Sequence, residues 1–363
     1  MFYRGKKVLV TGGTGFVGTH LVEELTRAGA KVRIPIHRES PVVADDRLEE
    51  VRADLTREED CVRVCTGVDF VFHAAGAVAA AGTTARNPMA AITTNLILTA
   101  QMLQAAWSSS VKRFLLFSSS TGYPAADHPI KEEEMWAGPT HPSYFGYGWM
   151  RRYLERMGEF VASRSEMKIA LVRPTAVYGR WDNFDPATSH VVPALIRKAV
   201  DRADPYEVWG TGDEVRDFLH ITDLARGCLL MLEKHATCDP VNLGYGRAVT
   251  IKDVVAAILR AANYENAPVV FDASKPTTIP FRMVDTGKAR RLLGFEPRVS
   301  LEDGLADTVR WYRDTRVMIE PKPLTLTLSQ RERGGSIGLS QRERGCGGGL
   351  SQRERGVRKA VGM

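Results

Sequence analysis

Near the start of the chain, residues 8–18 read Val8-Leu9-Val10-Thr11-Gly12-Gly13-Thr14-Gly15-Phe16-Val17-Gly18. A short β-type run leads into glycines, and the apolar residues Leu21, Val22 and Leu25 that follow recur at helical spacing. Glycine lets the backbone turn sharply and approach a pyrophosphate, and free N–H groups at the start of a helix bind anions. Two glycine spacings, Gly12-x-x-Gly15-x-x-Gly18 and Gly13-x-Gly15-x-x-Gly18, overlap in the strand, loop, helix order that such a site requires. The stretch therefore predicts a dinucleotide-binding loop.

Strand-like and helix-like segments alternate through the first half of the chain. Predicted strands cover 6–10, 31–36, 68–73, 111–118 and 167–173, and predicted helices cover 15–28, 57–65, 88–107 and 145–164. This alternation predicts an α/β fold, a Rossmann-type doubly wound parallel sheet with helices on both faces. After residue 174, loops rich in Trp, Asp, Pro and Gly alternate with helices near 190–203, 222–235, 250–263 and 301–315. We expect an NAD(P)-binding Rossmann domain over 1–174, a smaller C-terminal substrate-binding lobe over 175–316 and a disordered tail over 317–363.

The formal net charge of +6 is located in the tail. Residues 321–363 hold nine Lys/Arg and three Glu, so residues 1–320 hold 40 basic and 40 acidic groups and are neutral. The tail repeats Leu-Ser-Gln-Arg-Glu-Arg-Gly at 328–334, 339–345 and 350–356 and has too few apolar residues to fold. We interpret it as an extension without a role, the alternative being a basic arm for RNA or membrane. A neutral body predicts no nucleic-acid and no membrane partner.

The five cysteines form no Cys-x-x-Cys motif. Cys61 and Cys65 lie one helical turn apart, which favours buried thiols in a reducing compartment over a metal site or a disulfide. No leader pattern precedes the first predicted strand, and the most apolar stretch, 70–81, is too short to span a bilayer. The expected location is the cytoplasm.

The segment after the second predicted strand bears on the choice of cofactor. Sites that prefer NAD usually place an Asp or Glu there to bind the ribose 2′-hydroxyl. This chain reads Ile36-His37-Arg38 instead, and these basic groups would favour a 2′-phosphate. The sequence therefore predicts NADP; if Arg38 is only a solvated loop residue, NAD stays open.

Hydroxyl side chains cluster at the end of the predicted strand 111–118, where the chain reads Ser118-Ser119-Ser120-Thr121. Hydroxyls at the carboxyl end of a strand face the ligand crevice, where one of them can hold a substrate oxygen. Further along, Tyr147 is followed one helical turn later by Arg151. The two side chains share one helix face, and the cation favours the ionised phenol, so that the phenol can exchange a proton near neutrality.

Taken in order, these motifs resemble the extended short-chain dehydrogenase/reductase superfamily of NAD-dependent epimerases and dehydratases. The resemblance covers roughly residues 6–315, and it also rests on Asp54-Leu55, His73-Ala74-Ala75 and Arg173-Pro174-Thr175-Ala176-Val177-Tyr178-Gly179. It implies an NAD(P)-dependent enzyme. The cofactor contacts that it implies are Gly12, Gly13, Thr14, Gly15, Phe16, Val17, Gly18, His37, Arg38, Asp54, Leu55, Ala74, Ala75, Gly76, Tyr147, Arg151, Pro174, Thr175, Ala176 and Val177. The superfamily pattern is Tyr-x-x-x-Lys, and the arginine in this chain keeps the charge but cannot give up a proton.

The second half is similar to the GDP-L-fucose synthase family, in Asp182-Asn183-Phe184, Ser189-His190-Val191, Val208-Trp209-Gly210, Arg216-Asp217-Phe218 and Lys275-Pro276. The similarity implies a nucleotide-diphosphate sugar as substrate. The substrate contacts that it implies are Ser120, Thr121, Asn183, His190, Lys198, Trp209, Arg216 and Lys275. Cations are suited to the phosphates and an indole to a ring face. The alternative is that Trp209 belongs to the core and that Arg216 is a structural ion-pair partner.

In that family, a Cys and a His exchange protons beside a 4-keto group, which NADPH then reduces with a Tyr as proton donor. The resemblance assigns the catalytic roles to four residues. Tyr147 donates the proton, Arg151 orients ribose and biases Tyr147, Ser119 holds the 4-oxygen and His190 is the epimerisation base. Ser120 competes for the serine role, and His190 would otherwise cap a helix start. The family's Cys falls on Thr121, and because an alcohol is too weak an acid for that exchange, epimerisation is left open.

The sequence thus predicts an NADP(H)-dependent enzyme that reduces C4 of a nucleotide-linked 4-keto-6-deoxyhexose. Two alternatives stay open: an NAD-dependent NDP-hexose 4-epimerase and a catalytically idle nucleotide-binding regulatory protein, the second motivated by Arg151 and Thr121. Superfamily resemblance suggests a homodimer through the helices near 88–107 and 145–164. No metal is expected.

Overall fold

The computed structural model describes residues 2–37, 41, 43–77, 89–275 and 277–319. The strands are β1 Lys7–Thr11, β2 Lys31–Ile36, β3 Leu48–Arg52, β4 Phe70–His73, β5 Arg113–Phe117, β6 Lys168–Pro174, β7 Ala176–Tyr178, β8 Tyr206–Trp209, β9 Val215–Arg216, β10 Phe218–His220, β11 Val241–Leu243, β12 Val249–Thr250, β13 Val269–Asp272 and β14 Phe281–Arg282. The α-helices are α1 Phe16–Arg27, α2 Glu58–Cys65, α3 Ala90–Ser108, α4 Phe145–Arg164, α5 Val191–Val200, α6 Ile221–Lys234, α7 Ile251–Ala261, α8 Gly287–Leu293 and α9 Leu301–Ile319.

Seven strands form one parallel sheet in the order β11-β6-β5-β4-β1-β2-β3. The strand order reverses between β1 and β4, and ligands of such sheets bind at the carboxyl ends of the strands on either side of that point. The predicted doubly wound α/β fold is confirmed.

Apolar layers cover both faces of the sheet. Because successive side chains of a strand point to opposite faces, neighbouring residues of β1 belong to different layers. Val8 and Val10 pack with Leu21 of α1 and Leu224 of α6. Leu9, between them, belongs to the opposite layer, which includes residues of α2 and α3. A strand buried on both faces reads as an unbroken apolar run, as residues 8–10 do.

A separate apolar cluster lies in the second half of the chain. It joins α5, α7 and α9 with β8 and includes Tyr206, Ile258 and Tyr312, and Phe184 stacks on the Tyr312 ring at 4.3 Å. Three small sheets accompany it: β7 with β10, β9 with β12 and β14, and β8 with β13. Of the elements in this cluster, α5 and β8 precede β11 in sequence, and α7 and α9 follow it.

The helices predicted from periodicity match the structure closely; α1, α2, α4 and α6 begin or end within one residue of their predicted bounds. Strand β3, helix α8 and the short strands β7 to β14 were not predicted. Cys61 and Cys65 are free, buried thiols, as expected. Arg38, Pro276 and the repeats of the tail lie outside the described residues. Among the helices described, none combines the length and apolar character needed to cross a membrane.

Candidate active site

The glycine loop joins β1 to α1 with close backbone contacts. Gly12 has φ +67°, and a Cβ there would lie 2.8 Å from backbone atoms of Ala75. A Cβ on Gly18 would lie 1.9 Å from the carbonyl oxygen of Gly12. Gly15 occupies the N-cap position of α1 and has no side chain, so the N–H groups of the first helical turn are left for a ligand. The loop is therefore a backbone-lined cradle of the kind that binds a pyrophosphate.

The predicted cofactor residues gather at one edge of the sheet, at the carboxyl ends of its strands. Those in the loop and first turn after β1 are Gly12, Gly13, Thr14, Gly15, Phe16, Val17 and Gly18; those after β3 are Asp54 and Leu55; those after β4 are Ala74, Ala75 and Gly76; those at the end of β6 and in β7 are Pro174, Thr175, Ala176 and Val177.

His73 fixes β4 beside β1 at this edge. Its Nδ1 lies 2.8 Å from Oγ1 of Thr11, and its Nε2 lies 3.3 Å from Oγ1 of Thr99. The Ala75 N–H donates to the same Thr11 oxygen at 3.0 Å. Burial, and then the charge of Arg151, lower the pKa of His73 to about 3. The imidazole is therefore neutral at physiological pH, and it holds the backbone that faces the glycine loop.

His37 is the one residue of the predicted basic pair after β2 that the structure describes. His37 directly follows β2 and is exposed. Arg33 is already engaged, because it pairs with Glu49 at 3.0 Å and donates to the Val64 carbonyl at 2.9 Å. The Asp54 carboxylate accepts two hydrogen bonds from the next turn and lies after β3, not β2.

The hydroxyl cluster follows β5 in a short 3₁₀ turn, Ser120–Gly122. Ser119 Oγ accepts hydrogen bonds from the Thr121 N–H at 3.1 Å and from Thr121 Oγ1 at 3.0 Å. Ser120 is buried, whereas Ser119 and Thr121 are half-buried. Of the two competing serines, Ser119 is thus the more accessible.

Helix α4 brings Tyr147 and Arg151 against this turn. Arg151 Nη2 donates to Tyr147 Oη at 2.5 Å, and Nη1 donates at 3.0 Å to the carbonyl of Phe117, the last residue of β5. A Cβ on Gly148 would lie 2.6 Å from the carbonyl oxygen of Thr121, so the helix touches the hydroxyl turn. The predicted Tyr–Arg pair and the serine cluster therefore meet at the carboxyl end of β5.

A buried ion pair lies next to the hydroxyl cluster and is bonded to it through Ser118. Arg173 in β6 and Glu155 in α4 are each 2% exposed, and they are joined by bonds of 2.8 and 2.6 Å. Ser118 Oγ donates to the same carboxylate. The remaining Arg173 N–H groups reach Tyr123 Oη at 3.0 Å and the Glu132 carbonyl at 2.7 Å. Sequence reasoning missed this network, because its members are far apart in the chain and form no local motif.

His190 and Asn183 lie in the loop between β7 and α5. His190 is exposed and occupies the N-cap position of α5, but its imidazole makes no capping bond. The protein around the imidazole displaces part of its water, and this desolvation lowers the pKa of His190. Asn183 donates to Thr188 at 2.8 Å. Burial raises the pKa of the neighbouring Asp182 to about 7, and its Oδ2 has no partner among the described residues.

The basic residues of the second half that are predicted to bind the substrate differ in the hydrogen bonds and ion pairs that they already make within the protein. Lys198 donates to the Glu207 carbonyl at 2.7 Å, and Lys275 lies 3.7 Å from the Glu207 carboxylate. Trp209 is 50% exposed at the end of β8 and does not belong to the core. Arg216 donates to Thr278 Oγ1 at 3.3 Å and pairs with no carboxylate in the described part of the chain, so the structural ion-pair alternative fails.

Arg282 was not predicted, because no motif surrounds it. It lies opposite Arg216 in the register of β9 and β14 and is 7% exposed. Nη1 donates to the Pro124 carbonyl at 3.1 Å, whereas Nε and Nη2 lack partners among the described residues. Burial lowers its pKa to about 10. Two arginines therefore lie side by side in β9 and β14, and Arg282 reaches the segment that follows the hydroxyl turn.

Comparisons with known proteins agree with this geometry. The model of the NAD dependent epimerase/dehydratase family matches residues 8–244. An Arabidopsis thaliana protein named putative GDP-L-fucose synthase 2 is 30% identical over 325 residues, which cover 87% of this chain and 94% of that protein. A dTDP-4-dehydro-6-deoxy-D-allose reductase from Streptomyces bikiniensis is 29% identical, with 86% of this chain and 97% of that protein covered.

A solved structure gives the same result for the fold. It is the structure of a UDP-glucose 4-epimerase from Thermotoga maritima with UDP-glucose, and it matches with a TM-score of 0.76 at 28% identity. The match covers 85% of this chain and 99% of that one. The likeness therefore extends over both the parallel sheet and the second half of the chain.

Proposed function

Because this chain belongs to the NAD dependent epimerase/dehydratase family, we propose that it reduces the 4-keto group of a nucleotide-linked 4-keto-6-deoxyhexose with NADPH. It is an NAD(P)-dependent enzyme of the extended short-chain dehydrogenase/reductase type. One observation carries the proposed reaction: Arg151 donates both to Tyr147 Oη and to the Phe117 carbonyl at the carboxyl end of β5, two residues before Ser119. Relatives named putative GDP-L-fucose synthase and dTDP-4-dehydro-6-deoxy-D-allose reductase support the choice of substrate class.

The residues of the glycine loop fit a nicotinamide dinucleotide. The cradle at Gly12 and Gly18 leaves no room for a Cβ, and the first turn of α1 offers backbone N–H donors for a pyrophosphate. When bound, the cofactor supplies the hydride that a keto carbon accepts. The Arg151 guanidinium, whose Nε has no partner among the described atoms, is assigned to the ribose side of that cofactor.

The chain itself supplies the proton and the hydrogen bonds. Tyr147 donates its phenolic proton to the C4 oxygen as the keto carbon becomes an alcohol carbon. Because an Arg151 N–H already occupies a lone pair of that phenol oxygen, the hydroxyl proton is directed away from the guanidinium. Ser119 holds the C4 oxygen with a hydrogen bond that strengthens as negative charge develops there.

We assign the sugar nucleotide to residues 175–316, which we propose as the substrate lobe. Trp209 offers an exposed ring face, and Arg216, with Arg282 beside it, offers guanidinium donors to a diphosphate. Lys198 and Lys275 are assigned to the same nucleotide. His190, whose imidazole is free of a capping bond, faces the sugar in this proposal, together with Asn183 and Ser120.

The preference for NADP rests on His37, the exposed residue after β2, with Arg38 next to it in sequence. A 2′-phosphate adds negative charge that these groups can neutralise. We expect His37→Asp to weaken NADPH binding about tenfold and to leave NADH binding unchanged or stronger. Equal loss of both cofactors would contradict the assignment.

One assay tests the reaction. Purified protein is incubated with GDP-4-keto-6-deoxymannose and NADPH, and separately with UDP-glucose and NAD. The proposal expects stoichiometric loss of NADPH in the first mixture. Unchanged NADPH, with a 4-epimer formed in the second, would instead identify an NDP-hexose 4-epimerase, the candidate favoured by the similarity to the Thermotoga maritima enzyme.

We further propose a homodimer formed through α3 and α4. Phe145, Trp149 and Tyr153 recur every four residues along α4 and are 65%, 41% and 59% exposed. A stripe of large exposed apolar side chains at this spacing is typical of a helix–helix interface. Light scattering should give twice the chain mass, and Tyr153→Glu should shift it toward the monomer.

A further inference from the structure

The half-buried Ser119 hydroxyl accepts two hydrogen bonds, and both come from Thr121. Its N–H and its Oγ1 both donate to Ser119 Oγ, at 3.1 and 3.0 Å. A hydroxyl oxygen has two lone pairs and one proton. With both lone pairs occupied, the remaining tetrahedral direction belongs to the Ser119 proton.

Among the described residues, the Ser119 hydroxyl makes no hydrogen bond other than these two. Ser119 is therefore left as a donor whose direction is fixed by Thr121 before any ligand arrives. A preorganised donor of this kind stabilises developing negative charge without having to reorient during the reaction.

The position of Thr121 is itself fixed. Its carbonyl oxygen is the atom that a Cβ on Gly148 would meet at 2.6 Å, so Thr121 abuts the residue after Tyr147. On the other side, the Gly122 N–H donates to the Ser119 carbonyl at 3.2 Å and closes the turn. Thr121 thus bonds to Ser119 and approaches α4 at Gly148, the residue that follows Tyr147 in sequence.

We propose that Thr121 is a positioning residue that acts through Ser119: it aims the Ser119 hydroxyl at the C4 oxygen and makes the site one for reduction alone. The inference rests on the proposed function. An alcohol at this position does not exchange protons with carbons beside the keto group, because it is far too weak an acid. The hydroxyl of Thr121 instead serves the hydrogen-bond geometry of its neighbour.

The test compares Thr121→Val, which keeps the shape and the backbone donor, with Thr121→Ser, which keeps the hydroxyl. Steady-state reduction of GDP-4-keto-6-deoxymannose is measured with NADPH. We expect Thr121→Val to lower kcat about tenfold with KM nearly unchanged, because the lost contact matters most in the transition state. Thr121→Ser should stay within about twofold of the unmodified chain.

The same substitution in a Ser119→Ala background separates positioning from general disturbance. If Thr121 acts only through Ser119, adding Thr121→Val to Ser119→Ala causes no further loss of kcat. A full tenfold further loss, or a Thr121→Val enzyme equal to the unmodified chain, would overturn the inference. If Thr121→Val fails to fold, by circular dichroism and NADPH titration, Thr121→Ala takes its place with the same expectations.

Product analysis in D₂O completes the test. The unmodified chain should give a reduced sugar with no deuterium at C3 or C5, whereas deuterium at either carbon would overturn the claim of reduction alone. Lack of NADPH consumption by the unmodified chain would instead overturn the proposed function. Normal consumption with kcat insensitive to position 121 would overturn only the role of Thr121.

Discussion

The buried pair of Glu155 and Arg173 permits a quantitative prediction about the support of the serine cluster. Glu155→Gln keeps the size of the side chain but leaves the Arg173 cation buried at 2% exposure without a counter-charge. Removing one partner of a buried pair costs about 3–5 kcal/mol, and we expect about 3 kcal/mol because the amide oxygen can still accept one bond.

A second substitution should recover part of that loss. In Glu155→Gln/Arg173→Met the uncompensated charge is gone, and the remaining defects are neutral groups, among them the Glu132 carbonyl, which loses the Arg173 donor at 2.7 Å. An orphaned buried acceptor costs about 1–3 kcal/mol. We therefore expect the double variant to be destabilised by about 2 kcal/mol, less than Glu155→Gln alone.

Chemical denaturation of Glu155→Gln, Arg173→Met and the double variant measures these differences. The matched control is Glu159→Gln on the same helix, where the pair with Arg156 is 52% and 40% exposed and the expected cost is below about 0.5 kcal/mol. A double variant that loses as much stability as the two single changes together would show that the pair is uncoupled and would contradict this prediction. A loss for Glu155→Gln no larger than that of the control would contradict it as well.

Three further predictions concern the loop, the titrating carboxyl and the arginine of the active site. Gly12→Ala should weaken NADPH binding in fluorescence titration at least about tenfold because its Cβ would meet Ala75, whereas Gly67→Ala, with φ +74° and nothing within 4 Å, should leave binding unchanged. Burial raises the pKa of Asp182 in the folded protein to about 7, so the folded state holds a proton that the unfolded state has lost, and stability falls as pH rises from about 4 through 7. In thermal melts, Asp182→Asn should raise stability by about 2 kcal/mol at pH 8 and change it little at pH 4. Equal effects at both pH values would contradict this. Arg151→Met should lower kcat at least about a hundredfold and Arg151→Lys by no more than about tenfold; a rise in turnover for Arg151→Lys from an inactive parent would support an idle protein instead.

The parts of the fold with strong periodic signals could be predicted from sequence. Residues 8–10 read as a strand because both faces of β1 are buried, and α4 read as a helix because its apolar positions recur at helical spacing. Strand β3 lacks such a signal: Leu48–Arg52 contains two glutamates and an arginine and lies at the edge of the sheet, where one long side is solvated. These residues form a strand because they pair with β2, and local sequence does not encode that contact.

The same distinction applies to the site. Tyr147 and Arg151 were predicted as a pair because four residues bring side chains together on any α-helix, and the contact is present. Arg282 and Arg216 are 66 positions apart, and they meet only because β14 aligns beside β9. The two bonds from Thr121 to Ser119 required the 3₁₀ turn, whose start carries no proline or acidic marker.

The position of β11 in the sheet has a consequence for how the chain is made. β6 ends at Pro174, but its outer partner β11 begins only at Val241, so one edge of β6 stays unpaired until 67 further residues have left the ribosome. An unpaired strand edge is a template for wrong partners, and pairings distant in sequence form slowly. The nascent protein therefore passes through a stage in which its sheet is open at β6, and cellular yield should depend on chaperones that shield strand edges during that interval.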